Sequence, residues 1–152
     1  MSKPLDIIRV TQAHTAELGR LFDLYRQFYD CDADLELAKQ YISDRISNDE
    51  SVIFAATEDG ETLLGFVQLY PSFCSVEVMK IFILYDLYVD ADGRNKGIGA
   101  LLMNKASEFA KAHGAGRVDL LTGHSNKPGQ HLYEKLGYKK VNEEFYGYSL
   151  YV

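Results

Sequence analysis

The segment Val89-Asp90-Ala91-Asp92-Gly93-Arg94-Asn95-Lys96-Gly97-Ile98-Gly99 joins two strongly patterned parts of the chain. Before it, residues 78–89 are apolar except for Lys80 and Asp86, which is typical of a strand buried on both faces. After it, residues 97–113 repeat apolar side chains at spacings of three and four, the period of an amphipathic helix. Because the strand-like run Arg117–Thr122 comes next, the order predicts a βαβ unit with parallel strands and a right-handed crossover.

The glycines of this turn indicate a phosphate-binding site. Gly97 and Gly99 let the backbone approach a ligand closely, and the start of the helix offers free N–H groups with a partial positive charge. Arg94 and Lys96 add full positive charges, so the turn suits a pyrophosphate. It fits neither GxxxxGK[ST] nor GxGxxG, because no Lys-Ser or Lys-Thr follows and Leu102 stands where the last glycine belongs. A glycine turn that serves only the fold is the alternative.

The rest of the chain alternates between helical and strand-like patterns. We predict the strand Asp6–Val10, a helix N-capped by Thr11, the helix Leu35–Ile46, a hairpin of Val52–Thr57 and Leu63–Tyr70 around Glu58-Asp59-Gly60-Glu61, the helix Asn126–Leu136, and two strands in Tyr138–Val152 around Asn142-Glu143-Glu144. These elements predict an α/β (α+β) fold, in which a mixed, mostly antiparallel sheet of six or seven strands carries helices on both faces. We expect residues 1–152 to form one domain.

Composition and charge exclude several classes of protein. No apolar run approaches the roughly 20 residues that span a bilayer, and the start of the chain lacks a signal peptide, so we expect a cytoplasmic protein. The 22 acidic residues outnumber the 16 basic ones, which argues against bound nucleic acid. The whole excess lies in residues 1–60, where the acidic segment Asp30–Glu36 would attract a cationic substrate or serve only as a solvated loop. The two cysteines and four histidines show no metal-binding spacing.

Two motifs resemble those of the GNAT family of N-acetyltransferases. Arg94-x-x-Gly97-x-Gly99, opening a helix after an apolar strand, is similar to the acetyl-CoA motif of that family. Leu132-Tyr133-Glu134-Lys135-Leu136-Gly137-Tyr138, a few residues after Asn126, looks like its Leu-Tyr-x-Lys-x-Gly-Phe/Tyr segment. Two further segments, Leu24–Tyr29 and Leu84–Asp90, resemble the yeast histone and polyamine acetyltransferases, and the second also resembles diamine acetyltransferases.

The resemblance implies an enzyme that transfers an acetyl group from acetyl-CoA to a primary amine by direct attack within a ternary complex. No metal is implied. Strand backbone would bind the pantetheine arm, and the glycine turn would bind the pyrophosphate. The residues so implied for the cofactor are Leu87, Tyr88, Val89, Arg94, Asn95, Lys96, Gly97, Ile98, Gly99, Asn126 and Tyr133. Structural roles are the alternatives for some of these residues. The side chains of Leu87, Tyr88 and Val89 would also suit a hydrophobic core, and Asn126 would also suit a helix N-cap.

The resemblance makes Tyr133 the general acid that returns a proton to the departing CoA thiolate. The base is less well defined, because diamine acetyltransferases carry a glutamate where this chain has Tyr85. Asp86 is the nearest acid, and burial among apolar neighbours would raise its pKa, which suits a base. A structural Asp86, the acid Glu77 and a chain of waters are the alternatives.

We expect the acceptor amine to bind where the two N-terminal helices meet the strand that precedes the glycine turn. Tyr25, Phe28, Tyr29 and Asp30 would bind it, because aromatic rings and carboxylates attract cations. Polyamine-like or lysine-like amines are the first guess, with aminoglycosides, other small amines and protein N-termini as alternatives. Resemblance to the subgroup also implies a homodimer. A non-catalytic acyl-CoA-binding sensor or interaction module, and an unrelated nucleotide-binding domain, are the competing hypotheses.

Overall fold

The computed structural model describes residues 3–141 and 144–152 of the chain. The chain forms two compact units, of which the first runs to Leu121 and the second from Thr122 to Val152. The five strands and the first three α-helices of the described residues all belong to the first unit. That residues 1–152 form one domain stays a prediction.

One sheet organises the first unit, with its strands in the order β1-β2-β3-β4-β5. Neighbouring strands are antiparallel, except that β4 and β5 are parallel. The strands are Asp6–Arg9 (β1), Val52–Thr57 (β2), Leu63–Cys74 (β3), Met79–Val89 (β4) and Ala115–Asp119 (β5). This mixed, mostly antiparallel sheet confirms the predicted fold class, and the parallel pair confirms the βαβ unit.

Four α-helices are described, namely Thr15–Phe28 (α1), Leu35–Ser47 (α2), Ile98–Ala112 (α3) and Lys127–Lys135 (α4). Thr11 caps a short 3₁₀ turn, Gln12–His14, that leads into α1. The His14 N–H donates to the Thr11 carbonyl at 2.9 Å, and the Thr11 N–H donates to His14 Nδ1 at 3.0 Å. Thr11 therefore marks the start of helical structure as predicted, one short turn ahead of the α-helix itself.

The core lies on both faces of the sheet. On one face, α1 and α2 contribute Leu18, Leu21 and Ile42, each with 0% of its surface exposed. Burying one such side chain contributes about 1.5–3 kcal/mol. On the other face the Phe109 ring of α3 contacts the rings of Phe54 at 5.5 Å and Phe82 at 5.8 Å, between centroids. Helices thus cover both faces, as the sequence predicts.

The hairpin between β2 and β3 confirms its predicted turn, but β3 runs beyond the predicted end at Tyr70. Pro71 lies within it opposite Phe82. Proline cannot donate to a ladder, so it is tolerated where a strand has a free edge. The pairing of β2 with β3 ends at the Val52 and Leu69 pair, which leaves that edge of β3 open around Pro71.

The sheet has five strands in the described residues instead of six or seven, because the predicted C-terminal strands are absent from residues 138–141 and 144–152. An alternating pattern forms a strand only where a partner edge and a face to bury are available. Tyr146, Tyr148, Leu150 and Tyr151 are exposed instead, at 86% or more of their surface. Asn142 and Glu143, the centre of the predicted turn, lie outside the described residues.

Candidate active site

The turn after β4 is built by close backbone contacts. The Asp90 N–H donates to the Leu64 carbonyl at 2.8 Å, and the Asp90 carboxylate accepts from the Ala91 N–H at 2.8 Å. Arg20 donates to the other oxygen of that carboxylate at 3.1 Å. Gly93 is buried against β3, where an added Cβ would lie 2.9 Å from the Leu64 carbonyl oxygen. This glycine is required because no side chain fits between the turn and the sheet.

The start of α3 is uncapped and faces open space. Its N-cap is Gly97, which adopts the left-handed conformation at φ 73° and makes no side-chain cap hydrogen bond. Apart from Gly97 and its neighbours in the chain, no described heavy atom lies within 4 Å of the position that a Cβ of Gly97 would take. The first N–H groups of a helix have no partner within it, so they are available to an external acceptor. The arrangement fits a bound diphosphate.

The side chains of the turn differ from one another in their surroundings. Ile98 is 1% exposed, so it contributes a backbone N–H to the turn while its side chain belongs to the core. Lys96 lies in an ion pair with Glu58 at 3.0 Å between Nζ and Oε1. Asn95 has a left-handed backbone at φ 62°. Arg94 is exposed, which leaves its guanidinium accessible at the edge of the turn.

β4 loses its neighbour β5 halfway along its length. The parallel pairing covers Lys80–Ile83, whereas the antiparallel pairing with β3 continues to Val89. Partners in an antiparallel ladder alternate, and the Asp90 N–H bonds to Leu64. It follows that Leu87 and Val89 direct their N–H and C=O groups away from β3, while Tyr88 directs its own toward Phe66. The open edge of β4 therefore presents the backbone of Leu87 and Val89.

A β-bulge at Tyr85 lies where β4 loses that neighbour. Gln68 pairs with Asp86 and Leu69 pairs with Leu84, so Tyr85 is the extra residue. A bulge reverses which side chains face which side of a strand. Phe82, before the bulge, contacts α3, whereas Tyr88, after it, contacts the ring of Tyr25 in α1 at 6.2 Å. The bulge thus turns the end of β4 toward the first two helices.

Asp86 lies beside this bulge with 4% of its surface exposed. Gln68 Nε2 donates to Asp86 Oδ2 at 2.7 Å, and Ser51 Oγ donates to Gln68 Oε1 at 2.7 Å. Burial raises the pKa of Asp86, and hydrogen bonds from Gln68 and Tyr25 oppose that rise. The carboxyl group has the burial expected of a base, and the hydrogen bonds described for it come from the side chains of Gln68 and Tyr25. Glu77, the other candidate base, is exposed and ion-paired with Arg117 at 3.2 Å.

The predicted acceptor residues lie at the C-terminal end of α1, with Tyr25 and Phe28 in its last turn and Tyr29 and Asp30 just after it. The Tyr25 hydroxyl donates to the Tyr85 carbonyl at 3.5 Å, and burial raises the pKa of Tyr25. The Tyr29 ring contacts those of Tyr25 at 5.1 Å and Phe28 at 5.3 Å. Asp30 lies beyond the helix end in an exposed pocket that also contains Arg26 and the carboxylates of Asp32 and Asp34. The three aromatic residues therefore form one group, and Asp30 lines an acidic pocket.

Sequence reasoning missed Gln68, Ser51 and Tyr70. Tyr70 Oη lies 2.6 Å from Tyr41 Oη, and its ring contacts that of Tyr85 at 5.6 Å. A signal was available for Gln68, because it is the one polar side chain in the run Leu63–Tyr70. A buried polar residue is costly unless it is hydrogen-bonded, so its presence in a core strand points to a partner.

The second unit holds the other two predicted site residues. Asn126 caps α4, since its Oδ1 accepts from the Gly129 N–H at 3.1 Å while its Nδ2 donates to Thr122 at 3.0 Å. Tyr133 is half-buried on α4, with its ring centroid 6.4 Å from that of Tyr138. The structural role of Asn126 as an N-cap is therefore present, and its role toward a cofactor stays a prediction.

Residues 3–141 and 144–152 contain no cluster of three or more His, Cys, Asp or Glu side chains that could hold a metal ion. Within those ranges no helix has both the length and the apolar character needed to cross a membrane.

Known proteins place these features in one family. The acetyltransferase (GNAT) family profile matches residues 18–138. An uncharacterized N-acetyltransferase of Bacillus subtilis (strain 168), YhfO, is 40% identical over 136 residues, which is 90% of this chain and 91% of that protein. A crystal structure of a probable acetyltransferase is 34% identical, covers 97% of each chain and superposes with a TM-score of 0.88.

The fold recurs in a protein that was solved with coenzyme A. An aminoglycoside N-acetyltransferase in complex with CoA, AAC(6')-Iy, is 14% identical, covers 98% of this chain and 97% of its own, and has a TM-score of 0.83. At that identity the likeness concerns the fold alone. The relatives named as N-acetyltransferases favour an enzyme over the non-catalytic module that the sequence left open. The chain belongs to the acetyltransferase (GNAT) family and is an acetyl-CoA-dependent N-acetyltransferase.

Proposed function

We propose that the chain transfers an acetyl group from acetyl-CoA to a primary amine of the polyamine, lysine or other small-amine type, by direct attack within a ternary complex. One observation carries this proposal. The open backbone edge of β4, at Leu87 and Val89, leads directly into the uncapped N-terminus of α3. A strand edge followed by a helix start suits a ligand that has an amide-containing arm at one end and a diphosphate at the other.

The proposed cofactor contacts follow from that geometry. The N–H groups at the start of α3 and the exposed guanidinium of Arg94 would bind the diphosphate. Lys96 would have to leave its ion pair with Glu58 to contribute its charge. Leu87 and Val89 would pair with the amide-containing arm through their backbones. Ile98 takes part through its backbone N–H at the start of α3. Contacts from Asn95, Asn126 and Tyr133 are proposed on the family motifs alone, as is one from Tyr88, whose own backbone is directed toward β3.

Bound acetyl-CoA supplies the acetyl group as a thioester. The acceptor must lose a proton before its nitrogen can attack, and we assign that proton to the carboxylate of Asp86. A raised pKa makes Asp86 a stronger base than an ordinary exposed carboxylate. Tyr133 would donate the proton that the leaving thiolate needs. Holding both reactants in place supplies much of the remaining acceleration.

The acceptor is proposed to lie beside the end of α1. The rings of Tyr25, Phe28 and Tyr29 offer faces to a cation, and the acidic pocket lined by Asp30 offers carboxylates near the end of that helix. The likeness to histone, polyamine and diamine acetyltransferases supports a cationic acceptor without choosing among these classes. A homodimer, a cytoplasmic location and the lack of a nucleic-acid partner remain predictions.

A direct assay tests the proposal. Free thiol release from acetyl-CoA would be followed with a panel of polyamines, lysine peptides and aminoglycosides. We expect turnover with at least one amine, and a fall of about 100-fold in kcat for Tyr133→Phe with the acetyl-CoA Kd unchanged. Tyr138→Phe is the matched control, because it removes a buried hydroxyl from the same unit. Equal effects of the two variants would contradict the acid role, and no turnover with any amine would contradict the proposed reaction.

A further inference from the structure

The carboxyl group of Asp86 is buried without a cationic partner. It is 4% exposed, and no ion pair involving it is present in residues 3–141 or 144–152. A buried carboxylate normally pairs with a charge or coordinates a metal ion. Here its hydrogen-bond donors are neutral groups, the Gln68 amide through Nε2 at 2.7 Å and the Tyr25 hydroxyl.

Gln68 is itself fixed in one orientation. Its side chain is fully buried, and the hydroxyl of Ser51, which is 7% exposed, donates to its Oε1 at 2.7 Å. The opposite orientation of the amide would place Oε1 against Asp86 Oδ2, and two acceptor atoms at that distance repel when the carboxyl group is ionised. The ionised carboxylate therefore selects the orientation in which Nε2 points at Asp86, and Ser51 holds the opposite end of the amide by donating to Oε1.

Gln68 binds one oxygen of the carboxylate, Oδ2, and the Tyr25 hydroxyl is the other hydrogen-bonding neighbour of the carboxyl group. Asp86 lies beside the Tyr85 bulge, where β4 loses β5 and its backbone becomes accessible. A base must present a lone pair toward the incoming amine in a fixed direction, and a carboxyl group that rotates about its last bond does so only part of the time. Fixing Oδ2 on Gln68 fixes the direction of Oδ1 as well.

We propose that Gln68, held by Ser51, is a positioning residue that orients the Asp86 carboxylate to take the proton of the acceptor amine. The proposal rests on the acetyl-transfer function proposed above. The proton moves from the acceptor ammonium to Asp86 Oδ1, and the Gln68 amide keeps both of its own protons. Gln68 and Ser51 touch neither the amine nor the thioester in this scheme.

The titratable groups around Asp86 and its neighbours Tyr25 and Tyr70 come from each element packed against it. They are Tyr25 of α1, Tyr29 just after α1, Tyr41 and Arg45 of α2, Tyr70 of β3, and Tyr85 and Tyr88 of β4. Burial raises the pKa of Tyr25 and of Tyr70, so both phenols stay neutral where a carboxylate titrates. The pKa of Arg45 is raised as well, chiefly through a hydrogen bond with Tyr41, so that side chain keeps its charge. An acid limb in the rate profile would therefore report on Asp86.

The test is the pH dependence of kcat/KM for wild type, Gln68→Met and Ser51→Ala, with the best amine of the panel. Methionine keeps the length of glutamine but cannot donate to the carboxylate. We expect the acid limb of Gln68→Met to move upward by about one pH unit, since a hydrogen bond that favoured the ionised form is lost. Ser51→Ala should move it in the same direction by less, because the amide is loosened but still present.

Gln12→Met is the matched control. It makes the same chemical change at an exposed residue, whose amide donates to Ser47 at 2.7 Å and to the Ser43 carbonyl at 3.0 Å. Its acid limb should coincide with that of wild type. The Kd for acetyl-CoA, measured by calorimetry, should be the same in all four proteins.

Each outcome decides a different question. A Gln68→Met profile that falls equally at every pH, with an unmoved acid limb, overturns the positioning role while leaving the acetyl-transfer function intact. A wild type that binds acetyl-CoA but acetylates no amine overturns both. If Gln68→Met fails to fold, as a lost melting transition would show, Ser51→Ala decides, and an unmoved acid limb in that variant overturns the inference.

Discussion

The two halves of β4 have the same neighbour on one side and different surroundings on the other. Lys80–Ile83 lies between β3 and β5, whereas Leu87 and Val89 have β3 on one side and an open edge on the other. Before the bulge, Ile81, Phe82 and Leu84 are buried at 6% exposure or less. After it, Leu87, Tyr88 and Val89 are only half-buried, and Asp86 is a buried carboxyl group.

This difference separates stability from chemistry within one strand. The first half satisfies its backbone on both sides and packs its side chains, so it holds the sheet together. The second half leaves backbone groups and a carboxylate in positions that a folded protein would ordinarily avoid. Native proteins break local rules mainly at functional sites. Substitutions in the first half should therefore change unfolding, and substitutions in the second half should change binding and turnover.

Phe82→Ala should give the largest effect, on stability. Its ring contacts Phe109 in the core and is 2% exposed, so its loss leaves a cavity. We expect the free energy of unfolding to fall by about 3–5 kcal/mol, measured by urea denaturation. Tyr85→Ala, at the bulge, is the control, because that ring is 67% exposed and should cost far less. Similar losses for both variants would contradict the division of β4.

Asp86→Asn should lower kcat by about 100-fold or more, since the amide has almost the same shape but accepts no proton. The Kd for acetyl-CoA should stay within twofold, because the carboxyl group is assigned to the acceptor. Stopped-flow or steady-state thiol release measures the first quantity and calorimetry the second. A variant with full activity would remove Asp86 from the reaction.

The same variant should gain stability relative to wild type as the pH rises. The pKa of Asp86 is raised in the folded protein, so the protonated form is favoured by folding and the ionised form is disfavoured. Its contribution to stability is complete below the unfolded pKa of about 3.9 and is lost as the pH passes the folded pKa. Asp86→Asn should melt above wild type at neutral pH, and the two melting temperatures should converge near pH 4. A constant difference would indicate another cause.

The sequence predicted β4, the turn and α3 because their signals are local. A continuous apolar run, two glycines and a helical period are each readable within a few residues. The bulge at Tyr85 was not predictable in this way, because nothing in Leu84-Tyr85-Asp86 specifies how β3 pairs opposite it. The contact between Gln68 and Asp86 depends on that pairing, so it was missed.

The C-terminal tail shows the opposite error. Its alternation of aromatic and polar residues predicts strands, but a strand needs an edge to pair with, and sequence alone does not supply one. The described residues of the tail form no strand. The acceptor residues were predicted in part. The helical period correctly placed Tyr25, Phe28 and Tyr29 near one another. The placement of Asp30 in the acidic pocket depends on the chain reversal after α1, where its φ is 64°.

Gly97→Asp tests the N-terminus of α3, which follows the second half of β4 in the chain. In α2 the N-cap Asp34 accepts from the Leu37 N–H at 3.1 Å, whereas the N-cap of α3 has no side chain. An aspartate at position 97 would occupy the same donors and repel a diphosphate. We expect the acetyl-CoA Kd to rise by about 100-fold, on the scale of a lost charge-assisted hydrogen bond. Gly97→Asn is the control, because asparagine tolerates the left-handed conformation and carries no charge. Equal effects of both variants would mean that the added side chain, by capping the helix or straining the backbone, and not its charge, weakens binding.

The smallest effect should appear in amide hydrogen exchange along β4 itself. The N–H groups of Leu87 and Val89 face the open edge, so they should exchange rapidly in the free protein, while those of Ile81 and Phe82 should exchange slowly. If the arm of acetyl-CoA pairs with that edge, its addition should slow Leu87 and Val89 by about tenfold or more and leave Tyr88, already bonded to β3, nearly unchanged. Alternation of the effect between neighbouring residues is the decisive feature, because general tightening of the strand would slow all three together.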